Sequence, residues 1–135
     1  MKKISILEDL IPLFPTSPFK LYLDVKNNEK NVCILSESLI IQYSDELQPT
    51  EQEKSYTSSI SAYICSDEVN ANFDNIHDLL MTFFDIVRGY ELKTLGTKYI
   101  ESVNFESPFG FTGRDQSGNY TFILNFSILY KMQGG

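Results

Sequence analysis

The sequence predicts an α+β domain: an antiparallel or mixed β-sheet carrying one long amphipathic helix, with a short N-terminal helix and a long C-terminal β-hairpin. Three observations predict it. Tyr120, Phe122, Leu124, Phe126, Ile128 and Tyr130 place an aromatic or aliphatic side chain at every second position, the period of a strand with one buried face. Over residues 70–88, Phe73, Ile76, Leu80, Phe83, Phe84 and Val87 recur at helical spacing, with Leu79 widening the stripe. The strand-like runs are grouped before and after that helix, and strands segregated from a helix that packs on their sheet define this class.

In order along the chain, Ile4, Leu7, Leu10 and Ile11 predict a short helix over residues 3–11, with Glu8 and Asp9 on its other side and Pro12 as its stop. Leu13 to Pro18 is a proline-punctuated connection. Phe19 to Val25 alternates, burying Phe19, Leu21, Leu23 and Val25, and Lys26 to Asn31 reads as a polar turn into a partner strand, Val32 to Ser36. That is a first hairpin. Leu39 to Tyr43 is a further short apolar run, and Ser44 to Ser55 reads as an exposed acidic loop around Pro49. In the next strand, Tyr56, Ser58, Ile60, Ala62 and Ile64 face one way, and Thr57, Ser59, Ser61, Tyr63 and Cys65 the other. Asp74, Asp78 and Asp85 fall on the polar side of the 70–88 helix. Arg88 in its last turn complements the helix dipole, and Gly89 suits the C′ position. Tyr90 to Thr97 crosses back, turning at Gly96, to the opening strand of the final hairpin. The loop of that hairpin runs from Ser107 to Asn119.

The 135 residues suit one domain spanning 1–135. Eighteen acidic residues against 11 basic ones give a formal net charge of −7. With no basic run longer than Lys2-Lys3, the chain lacks the clustered cations of a nucleic-acid-binding surface. Glu8-Asp9 interrupts the first apolar run too early for a signal peptide. No stretch reaches the ~18–20 apolar residues of a membrane span, so the expectation is a soluble protein made in the cytoplasm. Cys33 and Cys65 lie in apolar strand-like runs without a second ligand at metal spacing, which predicts two reduced, half-buried thiols.

The search for chemistry yields little. His77, the one histidine, has Asp74 and Asp78 beside it on the helix, so it is the one candidate general base. A nucleophile at a definable spacing is absent. Asp74, Asp78 and Asp85 read as a solvated face rather than a metal site. Gly110, Gly113 and Gly118 have neither the spacing nor the following helix of a dinucleotide fingerprint, and they read as turn-shaping residues, with Asp115 supplying an Asx-type bond. No catalytic residue, metal ligand or cofactor is assigned. Arg114 beside Asp115 reads either as a surface ion pair or as part of a contact. Phe109 and Phe111 on so long a loop mark either a docking surface or a loop folded back on the domain.

The 70–88 helix, the Leu92 to Tyr99 crossing, the strand Tyr99 to Phe105, the turn Gly113-Arg114-Asp115-x-x-Gly118 and the alternating strand Tyr120 to Tyr130 together resemble the tail terminator family of long-tailed bacteriophages, also called minor capsid proteins. The resemblance covers Val69 to Met132. The N-terminal half agrees in length, in its Leu7-Glu8-Asp9-Leu10 helix and in strand order, and the segment Ser44 to Ser55 falls outside it. It implies a non-enzymatic protein of the virion tail or neck, assembled in the host bacterial cytoplasm. Such proteins form a homo-hexameric ring on the finished tail tube. The ring stops the tube protein polymerising and offers a surface to the head–tail connector, while DNA passes through without specific binding. Phe109, Phe111, Gly113, Arg114 and Asp115 are then the expected protein–protein interface. Alternatives are a head-completion or neck protein, a small monomeric binding module, and an enzyme using His77.

Overall fold

The computed structural model describes residues 4–15, 17, 19–23, 31–43, 54–67 and 72–132. In order, the elements are α1 (Leu7–Leu10) with a 3-10 turn over Ile11–Leu13, β1 (Lys20–Leu23), β2 (Val32–Tyr43), β3 (Lys54–Ser66), α2 (Phe73–Arg88), β4 (Lys93–Leu95), β5 (Lys98–Arg114) and β6 (Tyr120–Met132). The strands form one mixed six-stranded sheet in the order β1-β2-β3-β6-β5-β4. The α+β class holds.

The alternation read from the sequence is realised in β3 and β6. Tyr56, Ile60, Ala62 and Ile64 of β3 are buried on the same face as Phe122, Leu124, Phe126, Ile128 and Tyr130 of β6. That face is covered by α2 and by the N-terminal segment. Phe83 and Phe84 of α2 meet Phe126 edge-on at centroid distances of 5.9 and 5.7 Å, and Phe14 closes on Phe83 at 5.1 Å. Each fully buried side chain of this size contributes about 1.5–3 kcal/mol, and Phe83, Phe84 and Phe126 are all buried within the core cluster.

Several expectations are corrected. The helix expected over 70–88 is not long. It has 16 residues, Phe73–Arg88, and starts where the Asn72 side chain caps the Asn75 N–H at 3.0 Å. Among the described residues there are therefore two short α-helices. Ile76, Leu80, Phe83, Phe84 and Val87 of the stripe are buried, but Phe73 at its N-terminal end stays 46% exposed. Gly89 is not a left-handed C′ residue: its φ is −62°, and the reversal falls instead at Leu92 (φ 61°). The N-terminal helix is a single α-turn, and Pro12 sits within the 3-10 turn that follows it.

The first hairpin is absent. β1 runs parallel to β2, with Lys20 opposite Val32 and Leu23 opposite Leu35. Alternation has the same period in parallel and antiparallel ladders, so the sequence pattern could not separate them. Of the expected polar turn only Asn31 is described. It is left-handed (φ 62°), with its N–H donated to Cys65 O at 2.6 Å. Asp24 and Val25 lie outside the described residues, as do residues 44–53 of the acidic loop, while Lys54 and Ser55 begin β3. The runs 32–36 and 39–43 are one 12-residue strand. Glu37 at its centre points to the core face, its Oε2 accepting from Ile6 N at 3.2 Å and from Ser58 Oγ at 2.8 Å.

The final hairpin is present, but its loop is much shorter than expected. β5 continues to Arg114, and the connection is only residues 115–119. Register shifts at Glu106/Gly110 and Phe111/Gly113 absorb the surplus residues as bulges, where Gly110 and Gly113 take φ of 114° and 123°. Glycine is the residue that adopts such angles without strain. Phe109 and Phe111 are therefore strand residues.

Candidate functional site

The tip of the β5–β6 hairpin gathers the residues singled out by the sequence, with unequal roles. Phe111 stacks on Phe73 of α2 at 4.9 Å, and both rings lie against Phe122 (5.5 and 5.3 Å) and Tyr120 (5.8 and 5.6 Å). These separations suit offset and edge-on packing. Arg114 lies across Tyr120, its Cζ 4.5 Å from the ring centroid, with Nη2 donating to the Tyr120 hydroxyl. The guanidinium thus engages an aromatic ring rather than the neighbouring Asp115.

Asp115 holds the turn together. Its Oδ1 accepts from the backbone N–H of Ser117 and of Asn119, each at 2.9 Å, and its Oδ2 from Asn119 Nδ2 at 3.3 Å and from Cys65 Sγ at 3.4 Å. This is the expected Asx-type bond, extended across to β3. The Asn119 backbone bond, followed by its side-chain bond and those from Cys65 and Ser117, holds the carboxyl below its ordinary value of 3.8. A carboxyl with a lowered folded pKa stabilises the fold above its unfolded pKa, and that contribution is lost as pH falls through the folded value. Asp115→Asn is therefore expected to lower the urea midpoint at pH 7 and to flatten its decline below about pH 4. An unchanged pH profile would show that the carboxylate does not hold the turn. Gly113 serves as a bulge residue whose carbonyl accepts from Thr121 Oγ1 at 3.0 Å.

Phe109 is half folded back: it packs on the core cluster and meets His77 at 4.7 Å and Phe105 at 5.7 Å. Of the five expected interface residues, Phe111 and Arg114 are exposed despite their contacts within the domain, while Phe109, Gly113 and Asp115 are partly buried. The sequence reading missed Phe73 and Phe105. These are 46% and 48% exposed, and with Phe111 at 47% they make the apolar surface along this side. Phe73 had a signal, since an aromatic in the first helical turn lies at the edge of any buried stripe. Its contact with Phe111, across a helix and a strand, had none.

His77 is exposed, with Nδ1 3.8 Å from Asp78 Oδ1 and its ring edge-on to Phe109. Asp74, Asp78 and Asp85 are exposed, as expected of a solvated face. Both cysteines are free, and burial pushes the Cys33 thiol up to about 12 and the Cys65 thiol up to about 11, so neither is a thiolate nucleophile at neutral pH. Among the described residues no group of three or more His, Cys, Asp or Glu could hold a metal ion, and no helix is long and apolar enough to cross a membrane. An open cleft of about 410 Å³ lies against the other face of the sheet, lined by Ser36, Ser38, Ser59, Ser61, Asn125 and Ser107 with Glu106. Neither His77 nor a cysteine lines it.

A scan of the chain against protein-family models found no match, and a search of curated proteins found none either.

Proposed function

We propose that the chain is a tail terminator of a long-tailed bacteriophage: a virion protein that forms a homo-hexameric ring on the completed tail tube, halts its polymerisation and offers the surface for the head–tail connector. The observation that carries the reading is the exposed aromatic pair Phe73 and Phe111 beside Arg114 at the hairpin tip. Rigid aromatics and an arginine are the side chains that anchor protein–protein contacts, and here they stand on the first turn of α2 and on strand β5 instead of a loop. The resemblance of Val69 to Met132 to the family supplies the kind of partner. The net charge of −7 suits a channel through which DNA passes without adhering, because carboxylates repel phosphates.

The test is to add the purified protein to polymerising tail tube subunits and image the products by negative-stain electron microscopy. Rings seated on tube ends, with shortened tubes, are the expected result. Tubes that grow to the same length with bare ends overturn the reading. Binding to connector but not to tube would instead identify a head-completion or neck protein.

A further inference from the structure

The contact of Phe73 with Phe111 is one rung of a longer seam between α2 and β5. Phe111 meets Phe73 at 4.9 Å, Phe109 meets His77 at 4.7 Å, and Phe105 meets Phe84 at 5.6 Å. From Phe73 to Phe84 the seam follows about 16 Å of helix. Phe84 is buried beneath its rung, but Phe73, Phe105 and Phe111 each keep nearly half of their area in water. More than half of the His77 side chain is exposed between them. A lone exposed aromatic is ordinary, whereas a contiguous row marks a docking surface.

The border of this seam is acidic. An α-helix turns about 100° per residue, so Asp74, Asp78 and Asp85, each one position after Phe73, His77 and Phe84, form the next row round its surface. The ring row lies between these aspartates and the buried stripe of Ile76, Leu80, Phe83 and Val87. All three aspartates are exposed, and Asp85 stands in the last turn, where the helix dipole disfavours a carboxylate. The cations toward the two ends are already engaged. Arg88 Nε lies 3.6 Å from Glu91 Oε1, and Arg114 lies over the Tyr120 ring.

We propose that this seam takes a cationic amphipathic segment of a partner protein, with apolar side chains against the rings and lysines or arginines toward the α2 aspartates. Both parts of the surface favour the same charge, since ring faces attract cations as carboxylates do. A second copy would bring a net charge of −7, and nucleic acid or anionic lipid would bring phosphates, so each is a poorer occupant. The inference rests on the reading of this surface as the contact face and adds the chemistry of what meets it.

Fluorescence polarisation with the full chain tests it. The probe is a labelled peptide of about 14 residues with leucines at helical spacing and lysines beside them, long enough to cover the seam. Its control carries glutamate in place of every lysine. The lysine peptide is expected to bind, more weakly as salt rises, and the glutamate peptide to stay free at the same concentrations. Asp78→Asn with Asp85→Asn should weaken the lysine peptide roughly fivefold, the scale of two exposed ion pairs. Glu8→Gln with Glu101→Gln makes the same change in net charge on α1 and beside Lys131, and should leave binding unchanged. Phe111→Ala should weaken it roughly tenfold with an unchanged circular dichroism spectrum. Equal binding of the two peptides, no binding of either, or equal losses in the two double variants overturns the proposal. So does a chain whose mass doubles with concentration unless Phe111 is replaced, because a second copy would then be the occupant. A chain that prefers the lysine peptide through Asp78 and Asp85 but leaves tubes uncapped overturns the tail terminator reading alone. One that caps tubes without that preference overturns this inference alone.

Discussion

Replacing Asp9 by alanine is expected to cost about 3–5 kcal/mol of folding stability, the range for removing one partner of a buried ion pair. Lys98 Nζ donates to Asp9 Oδ2 at 2.7 Å, and the lysine side chain is only 2% exposed. Without the carboxylate the ammonium stays buried with its main counter-charge gone. Total stability of about 5–15 kcal/mol is usual for a domain, so this one change removes a large share of it. The pair also locks the N-terminal segment onto the far end of the chain, and the surroundings are built around it. Gly96 is left-handed (φ 61°), and a Cβ at that position would collide with the Asp9 carboxylate. Urea unfolding at pH 7 is the measurement. Adding Lys98→Met to Asp9→Ala should recover much of the loss, because an apolar side chain of similar length leaves no charge to desolvate. A loss under about 1 kcal/mol for Asp9→Ala, the scale of an exposed pair, would mean that water reaches the ammonium.

The second large effect is on assembly. Phe73→Ala combined with Phe111→Ala is expected to abolish tube capping while lowering stability by only about 1–2 kcal/mol, below the 3–5 kcal/mol of a fully buried phenylalanine. Both rings are about half exposed, 46% and 47%, so much of their area already faces water in the free protein. Phe126→Ala is the contrast: it empties the centre of the aromatic layer, where the residue has no exposure at all, and should fall in the full core range. Unfolding midpoints and tube-length distributions separate the two. Capping that survives the Phe73 and Phe111 substitutions would move the contact away from the hairpin tip. A collapse of the fold would show that the pair is core rather than contact.

How much was legible can be followed residue by residue. The alternation of Tyr120 to Tyr130 and of Tyr56 to Ile64 assigned both strands and their buried faces, because a strand's period is local and needs no partner to be seen. The buried stripe of the 70–88 helix was equally visible from Ile76 to Val87, but its start was not, since a capping Asn72 is identified only by the bond its side chain accepts from Asn75 N–H. The loop from Ser107 to Asn119 was misread because glycines that make bulges look the same in sequence as glycines that make turns. Gly110 and Gly113 extend β5, and only Gly118, with φ of 82°, belongs to the turn. Asp115 was recognisable as a turn-former, while its bond to Cys65, fifty residues away, was not.

The sequence by itself determined the buried faces of β3 and β6, the buried stripe of α2 from Ile76 to Val87, the α+β class, and the absence of a recognisable catalytic spacing. Those properties follow from short-range periodicity and residue type. Only the tertiary structure decided the strand order, the parallel pairing of β1 with β2, the burial of Lys98 against Asp9, and the meeting of Phe73 with Phe111. Each joins segments distant along the chain. Strand pairing and packing are non-local interactions, and a period of two is the same whichever neighbour a strand finally meets.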